Sequence, residues 1–159
     1  MAKVILICGK IASGKTYYAK ELLKQANAVL LSCDELMLRL FPEDLGTDYD
    51  TYSLRAREYL HHLAEHLICQ GTDVILDWGF WSSSLREQTT QYYHSRGIVC
   101  EWHYIDVSEV TWNQHIEKRN REVAAGTTRA YAVDEGLLAK MNRSFEVPEK
   151  DEIDVWHTI

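Results

Sequence analysis

The chain has 159 residues, 46% hydrophobic and 26% charged, with 8 Gly and 2 Pro, which predicts one hydrophobic core of ordinary size and excludes collagen-like, low-complexity and disordered classes. A formal net charge of −7 repels polyanions and weighs against a dedicated nucleic-acid binder, although a local basic groove can still hold a short strand. The cysteines at 8, 33, 69 and 100 form no CxxC pair, so zinc-ribbon and thioredoxin-type motifs are absent and four buried, reduced thiols are expected.

The longest apolar run, Val4 to Cys8, is far short of the roughly 20 residues that a membrane helix needs. The residues around it lack a small-residue cleavage site, and the start reads as that of a mature cytoplasmic protein. The same run, apolar without interruption, is expected as a central strand buried on both faces. A helix from Thr16 to Gln25 follows, then a second strand, Ala28 to Ser32, with Asp34 just past its end. A short helix through Leu40 and a polar loop lead into a long helix from about Tyr49 to Cys69. On it Tyr52, Ala56, Tyr59, Leu60, Leu63 and Leu67 fall on one apolar stripe. Gly71 closes that helix, and Asp73 to Asp77 is a third strand ending in a carboxylate.

Ser83 to Arg96 reads as a helix capped by Gly97, and Val99 to Ile105 as a fourth strand followed by Asp106. A helix from Ser108 to about Val123 carries Lys118, Arg119 and Arg121. Ala124 to Ala132 reads as a loop, and Val133 to about Phe145 as a short helix; Ile153 to Trp156 can supply a fifth, edge strand. Alternation of β and α segments predicts an α/β fold with a parallel sheet covered on both faces. The whole of residues 1–159 reads as one domain.

Gly9-Lys10-Ile11-Ala12-Ser13-Gly14-Lys15-Thr16 fits GxxxxGK[ST] between a predicted strand and a predicted helix, the context that a phosphate-binding loop requires. Its glycines let the backbone wrap a phosphate chain, so that amides of Gly9, Ala12, Ser13 and Gly14 and the positive end of the helix face the anion. Lys15 adds a full charge at the β- and γ-phosphates, and Thr16 offers its hydroxyl to Mg²⁺. A nucleoside triphosphate and Mg²⁺ are therefore the expected ligands.

In open α/β sheets ligands lie beyond the carboxyl ends of the strands, which makes Asp34, Asp77 and Asp106 candidates by position. Asp77, after Val74-Ile75-Leu76, suits a Mg²⁺ ligand, direct or through water, or else a cap or turn carboxylate. Asp34 suits a group that takes the proton from an attacking hydroxyl or holds it in line, or else an N-cap for a helix beginning at Glu35. Asp106, with Glu109 three residues on, reads as the N-cap of the helix bearing Arg119. Arg119, Arg121 and Arg129 are candidates to close over transferred charge, against a solvated face for each. Trp78, Phe80 and Trp81 could stack on a ligand or pack beneath a lid. Arg55, Arg57, His61 and His62 could grip an anion or form an exposed face.

The set Gly9 to Thr16, Ser32-Cys33-Asp34-Glu35, Leu76-Asp77 and Lys118-Arg119-Asn120-Arg121 resembles the P-loop kinases of the polynucleotide kinase, chloramphenicol phosphotransferase and zeta toxin group. The likeness covers about residues 1 to 145. It implies a three-layer P-loop NTPase fold, with a five-stranded, mainly parallel sheet in order 2-3-1-4-5 and a small lid at about 119–132. It also implies transfer of the ATP γ-phosphate to a hydroxyl, with Asp34 matching the general base and Arg119 a lid arginine near the adenine or phosphates. One departure stands out: polynucleotide kinases place an arginine three residues after the base, where this chain has Met37. Arg39, two residues further on, is the one side chain that could compensate; without it the expected acceptor shifts from a nucleic-acid end to a small molecule.

The expected function is thus a cytoplasmic ATP- and Mg²⁺-dependent small-molecule kinase, with catalytic Asp34, Lys15 and Arg119 and metal-holding Thr16 and Asp77. A nucleotide-binding regulatory NTPase without an acceptor is the alternative. A zinc hydrolase built on His62-Leu63-Ala64-Glu65-His66, which fits HxxEH, is a remote one lacking an assigned third ligand. No membrane partner is expected, and no residue pattern specifies an oligomeric state.

Overall fold

The computed structural model describes all 159 residues. Five strands, β1 (Lys3–Cys8), β2 (Ala28–Leu31), β3 (Asp73–Gly79), β4 (Val99–Asp106) and β5 (Val155–Thr158), form one sheet in the order β2-β3-β1-β4-β5, every neighbouring pair parallel. The helices are α1 (Lys15–Gln25), α2 (Cys33–Leu40), α3 (Tyr49–Cys69), α4 (Ser83–His94), α5 (Glu109–Ala124) and α6 (Glu135–Ser144).

The period-two alternation of β1 decides which layer each side chain feeds. Val4, Leu6 and Cys8 join the larger core with Leu60 and Ala64 of α3 and Tyr93 of α4. Ile5 and Ile7 turn to the other face and meet Ala19 of α1. A third cluster, Val107, Trp112 and Met141, seats α5 and α6 beside the segment that follows β1. No helix is long and apolar enough to cross a membrane.

Several boundaries differ from those expected. β3 runs two residues past Asp77, so this carboxylate lies within the strand, just before a register shift that pairs Cys8 with Gly79. α5 is capped by Ser108, whose hydroxyl accepts from Thr111 N, and Asp106 instead accepts from Trp156 Nε1 at 2.9 Å. Asp106 is thus spent on holding the edge strand. β5 begins at Val155, because Asp154 is engaged as a separate clamp, its carboxylate accepting from Trp102 N at 2.7 Å. α4 ends at His94, and Ser95 and Arg96 turn out of it. α6 starts at Glu135 with Asp134 as its cap, since Val133 is held by Asn120 through both of its backbone groups. Of the four thiols, Cys8 and Cys33 are buried, Cys100 is half-buried and Cys69 is exposed on the last turn of α3.

Candidate active site

The loop between β1 and α1 takes its shape from two glycines and one strained alanine. A Cβ at Gly9 would lie 2.8 Å from Ser13 Oγ, and Gly14 sits at φ 103°, a region side chains avoid. Ala12 holds a left-handed conformation at φ 54°, and such strain persists only where the surroundings impose it. They do so here: His115 Nδ1 lies 3.1 Å from Ala12 O, Trp112 Nε1 donates to Ile11 O at 2.7 Å, and Lys10 Nζ stands 4.4 Å over the Trp112 ring. Helix α5 therefore braces the loop from outside. Trp112 and His115 escaped the sequence reading because their partners are backbone carbonyls about 100 residues away, with no local motif.

Lys15 opens α1 and folds back so that Nζ donates to Gly9 O at 3.1 Å and to Lys10 O. Burial pushes its ammonium down to about 8, while Asp77 and Asp34 oppose that shift. Asp77 is 6% exposed, and burial, then Asp34, raise its carboxyl to about 6 against the pull of Lys15 and the Ser32 hydroxyl. Only two buried side-chain polar atoms in the protein lack a hydrogen-bond partner, Asp77 Oδ2 and Ser13 Oγ. Both belong to this site. An orphaned carboxylate oxygen and hydroxyl, beside a lysine and the amino end of α1, fit a phosphate chain with its magnesium ion, although the amides of Gly9 and Ser13, expected to face the anion, donate here to Gly79 O at 3.1 Å and Lys10 O at 3.2 Å.

Asp34 occupies the first turn of α2, where Ser32 provides the cap by accepting from Glu35 N at 3.3 Å. Capping therefore does not consume Asp34, whose exposed carboxylate makes no hydrogen bond within the chain. It acts on Lys15, Asp77, Arg119 and Tyr49 through its charge. Arg119 is half-buried, its Nε donating to Tyr131 O at 2.8 Å, and burial lowers its pKa while Asp34 and Tyr49 favour its charge. Tyr131 meets Tyr49 edge-on at 5.5 Å, and Lys140 pairs with Asp50 at 2.6 Å, so the segment after α5 rests on the start of α3.

Lys15, Asp34, Asp77 and Arg119 thus gather at the carboxyl end of the sheet, with Thr16 on the first turn of α1. Arg121 and Arg129 are exposed and make no ion pair. Phe80 is 1% exposed and packs edge-on against Trp102, while Trp81 joins the cluster under α5 and α6. Those two aromatics are packing groups. Met37 is fully buried, and Arg39 is committed to Glu35 at 2.9 Å. The HxxEH pair stands apart: His62 and His66 are exposed with ring centroids 4.4 Å apart, but Glu65 binds Tyr92 and Arg96, and no third ligand joins them.

The AAA domain family profile matches residues 4–148. The chain belongs to that family. No curated protein matches it in sequence. Among solved structures, this AAA domain is similar to a sugar kinase from Janibacter sp. HTCC2649, at TM-score 0.67 and 15% identity over 99% of this chain and 86% of that one. It is also similar to the Mycobacterium tuberculosis APS kinase in complex with AMPPNP and APS, at 0.64 and 20% over 99% and 88%. A chain of the Pnkp1/Rnl/Hen1 RNA repair complex matches at 0.69 and 19%, over 90% of this chain and 43% of that one. At such identities the likeness is one of fold, and the fold of this AAA domain is that of the P-loop kinases.

Proposed function

We propose that this AAA domain is a cytoplasmic, ATP-dependent phosphotransferase that moves the γ-phosphoryl group to a hydroxyl of a small-molecule acceptor. The observation that carries the reading is the Asp34 carboxylate, relieved of capping by Ser32 and set in the same charge cluster as Lys15, Asp77 and Arg119. The solved structures of like fold include a sugar kinase and an APS kinase, which supports the same class. Met37 in the core and Arg39 on Glu35 favour a small acceptor over a nucleic-acid 5′ end.

In this scheme the loop amides and Lys15 hold the triphosphate. Thr16 and Asp77 would hold Mg²⁺, which when bound neutralises charge between the β- and γ-phosphates. Asp34 takes the acceptor O–H proton as that oxygen bonds to the γ-phosphorus and the bond to the leaving ADP oxygen breaks. Arg119 stabilises charge on the moving phosphoryl oxygens. Turnover over a panel of hydroxyl compounds tests the reading. ADP release that rises with an acceptor and is lost in Asp34→Asn is expected; slow hydrolysis indifferent to every acceptor would instead mark a regulatory NTPase.

A further inference from the structure

The nine arginines divide sharply by partner. Arg39, Arg86 and Arg96 are paired with Glu35, Glu152 and Glu65. Arg55, Arg121, Arg129 and Arg143 are exposed. Arg57 and Arg119 alone are half-buried without an ion pair. A guanidinium drawn from water without a counter-ion is costly in a chain of net charge −7, where carboxylates are plentiful. Arg119 is accounted for by the transferred phosphoryl group. Arg57 is not.

Arg57 lies on the inward face of α3, the face that carries Ser53, Leu60 and Ala64. Its one hydrogen bond is long, from Nε to Ser53 O at 3.4 Å, which leaves both terminal nitrogens free. Ser53 in turn touches Cys33, the residue before Asp34, with Ser53 Oγ 3.8 Å from Cys33 Sγ. On the other side stands His61, bonded to Tyr93 Oη at 2.7 Å and met edge-on by Trp78 at 5.1 Å. Burial and the Arg57 charge hold His61 well below its usual range, at about 4, so it supplies no competing charge. The result is a planar fork with both terminal nitrogens unbonded, linked through Ser53 to Cys33, the residue before the proposed base.

We infer that Arg57 is the acceptor-binding residue of this site, and that the acceptor carries an oxyanion group, carboxylate, sulfate or phosphate ester, besides the hydroxyl that is phosphorylated. The inference rests on the kinase reading above. A bidentate fork suits such planar or tetrahedral anions, and Lys cannot reproduce its geometry.

Calorimetric titration of inorganic sulfate into the protein saturated with Mg²⁺ and a non-hydrolysable ATP analogue tests the anion site directly. One saturable event is expected, roughly tenfold to hundredfold weaker in Arg57→Gln, partly restored in Arg57→Lys and unchanged in Arg121→Gln. No sulfate binding, or binding indifferent to Arg57→Gln in a variant that melts with the wild type, would overturn the assignment. Should the analogue itself fail to bind, the kinase reading falls on that result alone, and sulfate binding that depends on Arg57 is still read separately in Lys15→Ala. Turnover with hydroxy acids, sugar phosphates and neutral polyols then separates the anion sources. An acidic acceptor should show KM raised by a similar factor in Arg57→Gln with kcat nearly unchanged; preference for neutral polyols, equal in both proteins, would contradict the inference.

Discussion

Arg86 directs all three of its guanidinium nitrogens to partners: Phe80 O at 3.1 Å, Trp81 O at 3.2 Å, Glu146 O at 3.1 Å and the Glu152 carboxylate at 3.1 and 3.4 Å. Arg119, also withdrawn from water, makes one hydrogen bond, to Tyr131 O. The two regions around them differ in the same way. At Arg86 the loop after β3 and the segment leading to β5 are tied into one saturated knot. At Arg119, Asp34 is unbonded and Asp77 Oδ2 and Ser13 Oγ are orphaned. Polar groups that serve the fold are satisfied within it, and those assigned to a ligand in the proposed scheme have no partner in the chain.

The sharpest way to break this contrast is to remove one group from each region. Lys15→Ala should lower kcat/KM by roughly 10³-fold or more yet unfold in urea within about 1 kcal/mol of the wild type, because the lost ammonium was disfavoured by burial. Asp34→Asn should slow acceptor-dependent ADP release by roughly 10²–10⁴-fold while nucleotide affinity holds; wild-type turnover would remove Asp34 from the reaction. Arg86→Leu is expected to cost about 3–5 kcal/mol in urea unfolding, since it strands Glu152 and three carbonyls. An unchanged midpoint would show that the knot is ornamental.

A pH series sharpens the comparison. Protonation of Asp77 removes the carboxylate that would hold magnesium, so Mg²⁺-dependent nucleotide affinity should fall as pH drops through about 6. Loss of the Lys15 proton removes the charge that meets the phosphates, so affinity should also fall as pH rises through about 8. The stability of the free protein moves oppositely. Asp77 takes its proton more readily folded than unfolded, which favours the fold as pH falls toward 4. Lys15 gives up its proton more readily folded, which favours the fold as pH rises above 8. Flat affinity between pH 5.5 and 8.5, by calorimetry, would sink both assignments. The smallest effect is that of Ser32→Ala, about 1 kcal/mol in urea unfolding from a lost cap.

The phosphate loop was legible because its chemistry is contiguous: eight residues carry the glycines, the lysine and the threonine together. Sheet order followed from the family likeness, and strand placement from apolar runs. The Asp106 cap was misplaced, since Ser108, two residues on, caps α5 instead. At Asp34 two readings were open from sequence, and capping of α2 falls to Ser32, which leaves that carboxylate free. Arg86, Trp112 and His115 were illegible for another reason: each acts on carbonyls brought near only by the finished fold. Arg57 was legible as a candidate, but its inward direction and lack of a partner are properties of packing.

Titration of ATP with Mg²⁺ into the purified protein by calorimetry tests the central claim most directly. The account predicts a saturable event at one nucleotide per chain, dependent on magnesium and abolished by Lys15→Ala. An absence of heat with the folded wild-type protein, or binding that survives Lys15→Ala undiminished, would contradict it.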